Sequence, residues 1–496
     1  MPLTPKAIYE DLKNKDLDYN SALELLITLI DNTDNVDTRL ESIRILEKIQ
    51  AKDDKVYKLM ENLLISDSNE YIRNLAASLI KTLFLDRALK PMKWALENET
   101  SLMCLITIIS TLSDINNKKS KSFLIEKIDA LTNQKYKFNL QNVFGRKNLE
   151  RSSHKDLAEL LINYYFISFL KIKFGYIKYE FNNLGYITKL DLTNTDPQGI
   201  FLSNFFDSIL SLNQLKVLDL RFNHLIKLSE ISNESDSITS LDLSYNKLIK
   251  LPESISKLKF LKILNLKSNR LRTLPDSLGA LSLLQTLNLR NNLLNELPKS
   301  IPSLKKLKNL DLHGNKLTSI EFKLNQSIND LDLGWNNFYE IPTSIKSLVF
   351  LEKLGMSGNK IKKLPNWISS FQSLISLYLY DNNITELPNS IGKLKSLENL
   401  ILRNNQLSSL PESFQNLKNL KELNLSWNNF SVLPEWIGDL SALEELNLWG
   451  NQLEQLTESI ALLPSLKILD LNFNKIKTIP ESLRRLERNR GLIIKI

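Results

Sequence analysis

Residues 238–258 read ITSLDLSYNKLIKLPESISKL, and the same spacing of leucine, asparagine and proline returns through the C-terminal two thirds of this 496-residue chain. The unit is L-x-x-L-x-L-x-x-N-x-L followed by x-x-L-P-x-S-I-x-x-L. Its asparagine falls at Asn223, Asn246, Asn269, Asn292, Asn315, Asn336, Asn359, Asn382, Asn405, Asn428, Asn451 and Asn474. Ten of the eleven intervals are 23 residues, and the one from Asn315 to Asn336 is 21. A fixed period of this length marks an array whose units bury a core only by stacking. A divergent unit, ITKLDLTNT at 187–195, adds a thirteenth repeat at the front.

Within the unit, Leu241 and Leu243 alternate with Asp242 and Ser244, the period of two of a strand with one buried face. A strand this short gains a continuous core by lying parallel to the next copy. The asparagine sits where the chain leaves the strand. There its side-chain amide can pair backbone groups that would otherwise be buried unsatisfied.

The second half of the unit has apolar residues at helix-like spacing behind a proline, which recurs at nine positions from Pro252 to Pro480. Proline fixes φ and leads into a helical or 3₁₀ turn on the outer surface. Such turns are wider than strands, so the array is expected to bend with its strands inside. Thirteen strands at about 4.8 Å give an inner face on the order of 60 Å long.

These residues resemble the leucine-rich-repeat family over about 176–496, and the L-P-x-S-I variant is similar to repeats of plant intracellular, bacterial and Ras-associated scaffold proteins. The resemblance implies an α/β solenoid with parallel strands on its concave face. FGYIKYEFNNLGYITKLDL, from residue 174, alternates aromatic and polar residues around an Asn182-Asn183-Leu184-Gly185 turn and resembles a β-hairpin cap. At the other end, ESLRRLERNRGLIIKI places arginines on its helix, as an outer polar face would.

Residues 1–134 show apolar residues at i, i+3, i+4 and i+7 between Asp, Asn and Ser clusters, a string of short helices. TRLESIRILEKI (38–49), YIRNLAASLIKTL (71–83) and SLMCLITIISTL (101–112) align with one another, and each is followed by a second helix. The middle unit is similar to HEAT-type repeats, so an all-α HEAT-like domain is expected before the solenoid. Residues 135–175 read as a linker and connecting helix.

The chain is 43% apolar and 24% charged, as in a globular protein, with a formal net charge of +8. No apolar run reaches the length that spans a bilayer; 157–170 is interrupted by Glu159 and Asn163 and reads as a buried helix. The N-terminus carries charges where an exported chain needs an apolar stretch. The one cysteine, Cys104, lies among apolar residues, which points to an inert core thiol and a reducing, cytoplasmic setting.

The sequence holds no phosphate-binding G-x-x-x-x-G-K-[ST], H-E-x-x-H, C-x-x-C or G-x-S-x-G motif, and only three scattered histidines. No enzyme activity, cofactor or metal is expected. The array instead implies a scaffold that grips a folded protein, with a monomeric chain. The likeness to Ras-associated scaffolds makes a small GTPase or other signalling protein a candidate partner.

Early repeats place Asp219, Arg221, Asp242, Asn265, Lys267, Asn288, Arg290, Asp311 and His313 on the strand face as a mixed polar strip. Later repeats offer Trp335, Tyr378, Tyr380, Arg403, Trp427 and Trp449, the residue types that dominate binding hot spots, as one stripe. Trp367 and Trp436 belong instead to the outer turns. A rival reading is a nucleic-acid-associated factor using the basic segment 118–155, where Lys118, Lys119, Lys121, Lys127, Lys135, Lys137, Arg146, Lys147, Arg151 and Lys155 outnumber the acids. Only Tyr136, Phe138 and Phe144 supply aromatics there, so nucleic acid is the weaker alternative. A third is a subunit whose partner chain carries the catalysis.

Overall fold

The structure, a computed structural model, describes residues 4–132 and 146–496. The chain divides into two compact units, residues 1–190 with 212–215 and residues 191–211 with 216–496.

The first unit is helical. Its opening helices are α1 (Pro5–Asn14), α2 (Tyr19–Asn32), α3 (Val36–Lys48), α4 (Asp54–Ser66), α5 (Glu70–Leu83), α6 (Leu89–Asn98), α7 (Leu102–Asp114) and α8 (Lys118–Thr132). The Asp, Asn and Ser clusters between apolar runs supply the N-caps: Asp18 accepts from the amides of Asn20 and Ser21, Asn35 from Thr38, and Asn69 from Tyr71 and Ile72. The three aligned segments are α3, α5 and α7, and their inner faces, including Ile43, Leu46, Ala76, Ile80, Ile108 and Leu112, are wholly buried in one core. Two arginines in equivalent places, Arg39 and Arg73, reach the far ends of neighbouring helices. Arg39 pairs with Asp67 at 2.5 Å, and Arg73 holds both oxygens of Glu99 at 2.8 Å.

After α9 (Arg146–Arg151), helix α10 (His154–Phe174) starts at a Ser153–Asp156 capping box. It buries Leu157, Leu161 and Phe166 as well as Asn163, whose amide donates to Glu159 O at 2.6 Å and accepts from the Ile187 amide at 2.9 Å. Of the two residues that break the apolar run, Asn163 is therefore used as a hydrogen-bonding side chain. No helix among the described residues is long and apolar enough to cross a membrane. Strands β1 (Lys178–Phe181) and β2 (Ile187–Asp191) flank the expected turn, closed by Gly185 N–H to Asn182 O at 3.0 Å.

The second unit begins with α11 (Ile200–Leu210) and then stacks thirteen three-residue strands in sequence order, β3 (Val217–Asp219) to β15 (Ile493–Lys495). Neighbouring strands among them run parallel, with leucine opposite leucine up to β14: Leu241 faces Leu264, and Leu400 faces Leu423, while Leu469 faces Ile494 of β15. These leucines are wholly buried, and each contributes about 1.5–3 kcal/mol. Prolines at φ near −70° open most of the 3₁₀ turns on the opposite side, such as Glu253–Lys257 and Glu412–Asn416. Trp367 and Trp436 are half-buried in these turns, against Phe371 and Phe414. Helix α12 (Glu481–Arg490) follows the last repeat, and β15 then adds a strand that the sequence pattern did not announce.

The ladder asparagines from Asn223 to Asn451 are buried at the strand exits. Asn246 Nδ2 donates to Leu220 O and Leu243 O, while its Oδ1 accepts from the amides of Asn223 and Leu225, all within 3.0 Å. The short interval does not disturb this arrangement. Asn309 still faces Asp330, and Asn336 Oδ1 still accepts from Leu317 N at 2.9 Å. The two missing residues come from the back of that repeat, which makes no 3₁₀ turn.

Candidate functional site

The open face of the sheet is built from three positions in each repeat: four, two and one residues before the ladder asparagine. The residue one before adopts a left-handed conformation in every repeat, from Phe222 (φ 59°) to Phe473 (φ 56°). This turns its side chain toward the following repeat.

The position four before is occupied mostly by Asp or Asn, and the structure gives these residues a local task. Asp219 Oδ1 accepts from Arg221 N–H at 3.1 Å, and Asp242, Asn265, Asn288, Asp311 and Asp332 do the same for the amide two residues on. Asn424, Asn447 and Asp470 resume the pattern at the far end. The early polar strip is thus a second ladder of side-chain caps rather than a set of free contacts.

That second ladder lapses in three successive repeats. β9 (Lys353–Gly355), β10 (Ser376–Tyr378) and β11 (Asn399–Ile401) carry Gly355, Tyr378 and Ile401 at this position. The amides of Ser357, Tyr380 and Arg403 consequently have no acceptor among the described residues. An unpaired amide in a sheet is costly unless something outside the chain accepts its hydrogen bond.

The six aromatic and arginine residues expected on one stripe are divided among three rows. Tyr378 lies in β10, four before; Tyr380, Arg403 and Trp449 lie two before; Trp335 and Trp427 are the left-handed residues one before, at φ 51° and 54°. The reason is the turn that starts at the asparagine, which lifts the last residue off the strand. Arg403, Trp335 and Trp427 are exposed, and Tyr378, Tyr380 and Trp449 half-buried. Tyr378 and Tyr380 flank the lapse directly. Trp427 and Trp449 meet edge to face at 5.1 Å, and Phe473 extends the cluster at 5.7 Å from Trp449. Phe473, Phe222 and Tyr245 escaped sequence reasoning, although a count of one residue before each asparagine would have found them.

Upstream of the lapse the face is charged. Arg290 lies 3.6 Å from Asp332, and His313 Nδ1 lies 3.3 Å from the same carboxylate. Burial pushes Asp332 upward, but the hydrogen bonds from His313 and the Gly334 amide outweigh it and hold the carboxyl below its usual range. Burial wins at Asp311, which is raised. Among the described residues no group of three His, Cys, Asp or Glu side chains is placed to hold a metal.

The basic segment is partly outside the described residues: Lys135, Lys137, Tyr136, Phe138 and Phe144 fall there. Of the others, Lys127 pairs with Glu97 at 3.0 Å and Lys121 donates to Glu150 O at 2.8 Å. Cys104 is buried with its thiol against Glu70 O, and burial raises its pKa to about 12, where it is unreactive.

Residues 376–488 match the family described as "Leucine-rich repeat region", and residues 236–294 and 259–317 match "Leucine rich repeat". A leucine-rich-repeat protein of Leptospira interrogans is 31% identical, with a TM-score of 0.51 over 58% of this chain and 80% of that one. A TDR receptor is 32% identical with a TM-score of 0.52, over 62% of this chain and 55% of the receptor. No curated protein matches the chain. With its ladder of buried asparagines, its in-register leucine strands and these likenesses, the chain belongs to the leucine-rich-repeat family.

Proposed function

We propose that this protein is a non-enzymatic interaction scaffold that grips a folded protein on the sheet face of its repeats, centred on β9–β11. The observation that carries this reading is the lapse of the capping ladder. Three neighbouring repeats give up an internal acceptor, and the same stretch holds Tyr378, Tyr380 and Arg403, with Trp335 on one side and Trp427 and Trp449 on the other. A partner that supplies acceptor oxygens there would pair amides that otherwise rely on water, while the rings supply apolar contact. The likeness of the L-P-x-S-I repeats to Ras-associated scaffolds favours a signalling protein such as a small GTPase. The buried, high-pKa Cys104 suits a reducing, cytoplasmic setting, and the HEAT-like helical unit offers a second surface.

The test is quantitative affinity capture, comparing the unmodified protein with a Tyr378→Ala, Tyr380→Ala, Arg403→Ala variant and with a Trp427→Ala, Trp449→Ala variant. The expected result is loss of the same protein partner from both. A partner set retained in full by both variants overturns the proposal.

A further inference from the structure

The three repeats of Asn223, Asn246 and Asn269 carry a second surface, on the edge where the chain leaves the strands. Phe222 and Tyr245 occupy the left-handed position in adjacent repeats, and their rings stack at 4.5 Å with 9° between planes. A few residues on, Ile226 and Ile249 are 54% and 50% exposed, and the Ile249 amide donates to Ile226 O, so the two isoleucines also sit side by side. Four large apolar side chains thus share one exposed edge.

Cations surround them. Lys227 and Lys250 follow the isoleucines, while Lys247, Arg270 and Arg272 continue the edge into the third repeat. Among the described residues none of these five has an ion-pair partner, whereas some lysines of the array do: Lys363 with Glu386, Lys421 with Glu398 and Lys467 with Glu444. The repeat pattern does not require the charge. The position of Lys247 and Arg270 is lysine again in three later repeats, at Lys316, Lys360 and Lys475, but uncharged in others, at Leu293, Asn337, Asn383, Gln406, Asn429 and Gln452.

We infer that this edge is a docking site for an acidic protein segment with interspersed aliphatic residues, several repeats away from the β9–β11 centre of the proposed function. Unpaired positive charge around an apolar centre complements such a segment in both respects. Nucleic acid fits less well. Bases stack on open ring faces, but Tyr245 has Phe222 from the preceding repeat on one side and the Lys267 ammonium, from the following repeat, 5.4 Å from its ring centre. Isoleucines provide no stacking surface at all.

The site is tested with three probes: a fluorescent peptide of alternating Glu and Leu, a poly-Glu peptide of equal charge, and an oligo-dT strand. The full chain should bind the Glu-Leu peptide at least tenfold more tightly than either of the others. Ile226→Ser with Ile249→Ser should weaken it about tenfold, and Lys250→Glu with Arg272→Glu by more. All four positions are exposed, so the thermal midpoint of each variant should stay put and serve as the folding control. Tyr380→Ala, on the sheet face, should leave peptide binding unchanged, which separates this site from the proposed function. Equal or tighter binding of oligo-dT or poly-Glu overturns the inference, as does Glu-Leu binding insensitive to both pairs of substitutions.

Discussion

The Trp335 indole occupies the space that a side chain on Gly358, its counterpart in the next repeat, would need: a Cβ there would come 2.6 Å from Trp335 Cδ2. Gly358 is also left-handed, at φ 65°. Gly358→Ala therefore incurs both a conformational cost and a displaced ring, together about 1–3 kcal/mol. Urea unfolding should show that loss, with a shift in tryptophan emission of the folded state. An unchanged spectrum and midpoint would place the ring elsewhere.

Asn246 offers a sharper stability test, because its side chain serves four backbone groups of two neighbouring repeats. Asn246→Ala leaves buried donors and acceptors unpaired and should cost about 1–3 kcal/mol or more. Asn474, at the end of the ladder and only partly buried, should cost less when replaced in the same way. Equal midpoints for the two variants in chemical denaturation would contradict this ranking.

The period of 23 made the strands, the asparagine ladder and the outer turns legible, because all three follow from the leucine, asparagine and proline spacing. The face was harder to read. Asp219 and Asp242 look like solvent-facing strand residues in the sequence, yet in the structure their oxygens turn back onto the chain's own amides. Trp335 and Trp427 were placed among strand residues because nothing in their identity signals a positive φ; large rings rarely adopt one. The closing strand β15 was missed for a related reason: GLIIKI lacks the repeat motif and pairs only because an exposed strand edge is waiting for it.

In the helical unit, Glu99 provides a pH dependence. Burial raises its pKa, but the Arg73 guanidinium and the amides of Thr100 and Ser101 outweigh burial and bring it from 4.5 to about 2. A carboxyl with a depressed folded pKa adds stability above its unfolded value, and that stability is lost as pH falls from about 4.5 toward 2. The full contribution is on the order of 3 kcal/mol. Glu99→Gln should lower the thermal midpoint at pH 7 and flatten the acid limb between pH 4.5 and 2. An identical acid limb in both proteins would remove Glu99 from the account.

Ile401 allows the capping ladder and the binding face to be set against each other. Asparagine at this position would restore the acceptor that Asn424 provides to Ser426 N–H at 3.0 Å in the next repeat, here for the Arg403 amide. Ile401→Asn should therefore raise stability by about 0.5–1.5 kcal/mol, since it adds one hydrogen bond at a partly exposed site. The same change takes that amide away from any partner, so capture on the sheet face should weaken. Most substitutions at a binding surface reduce binding without stabilising the free protein. A gain in midpoint coupled to a loss of partner is the signature of an amide held open for recognition, and a stabilised variant that still captures its partner in full would show that the lapse has no part in binding.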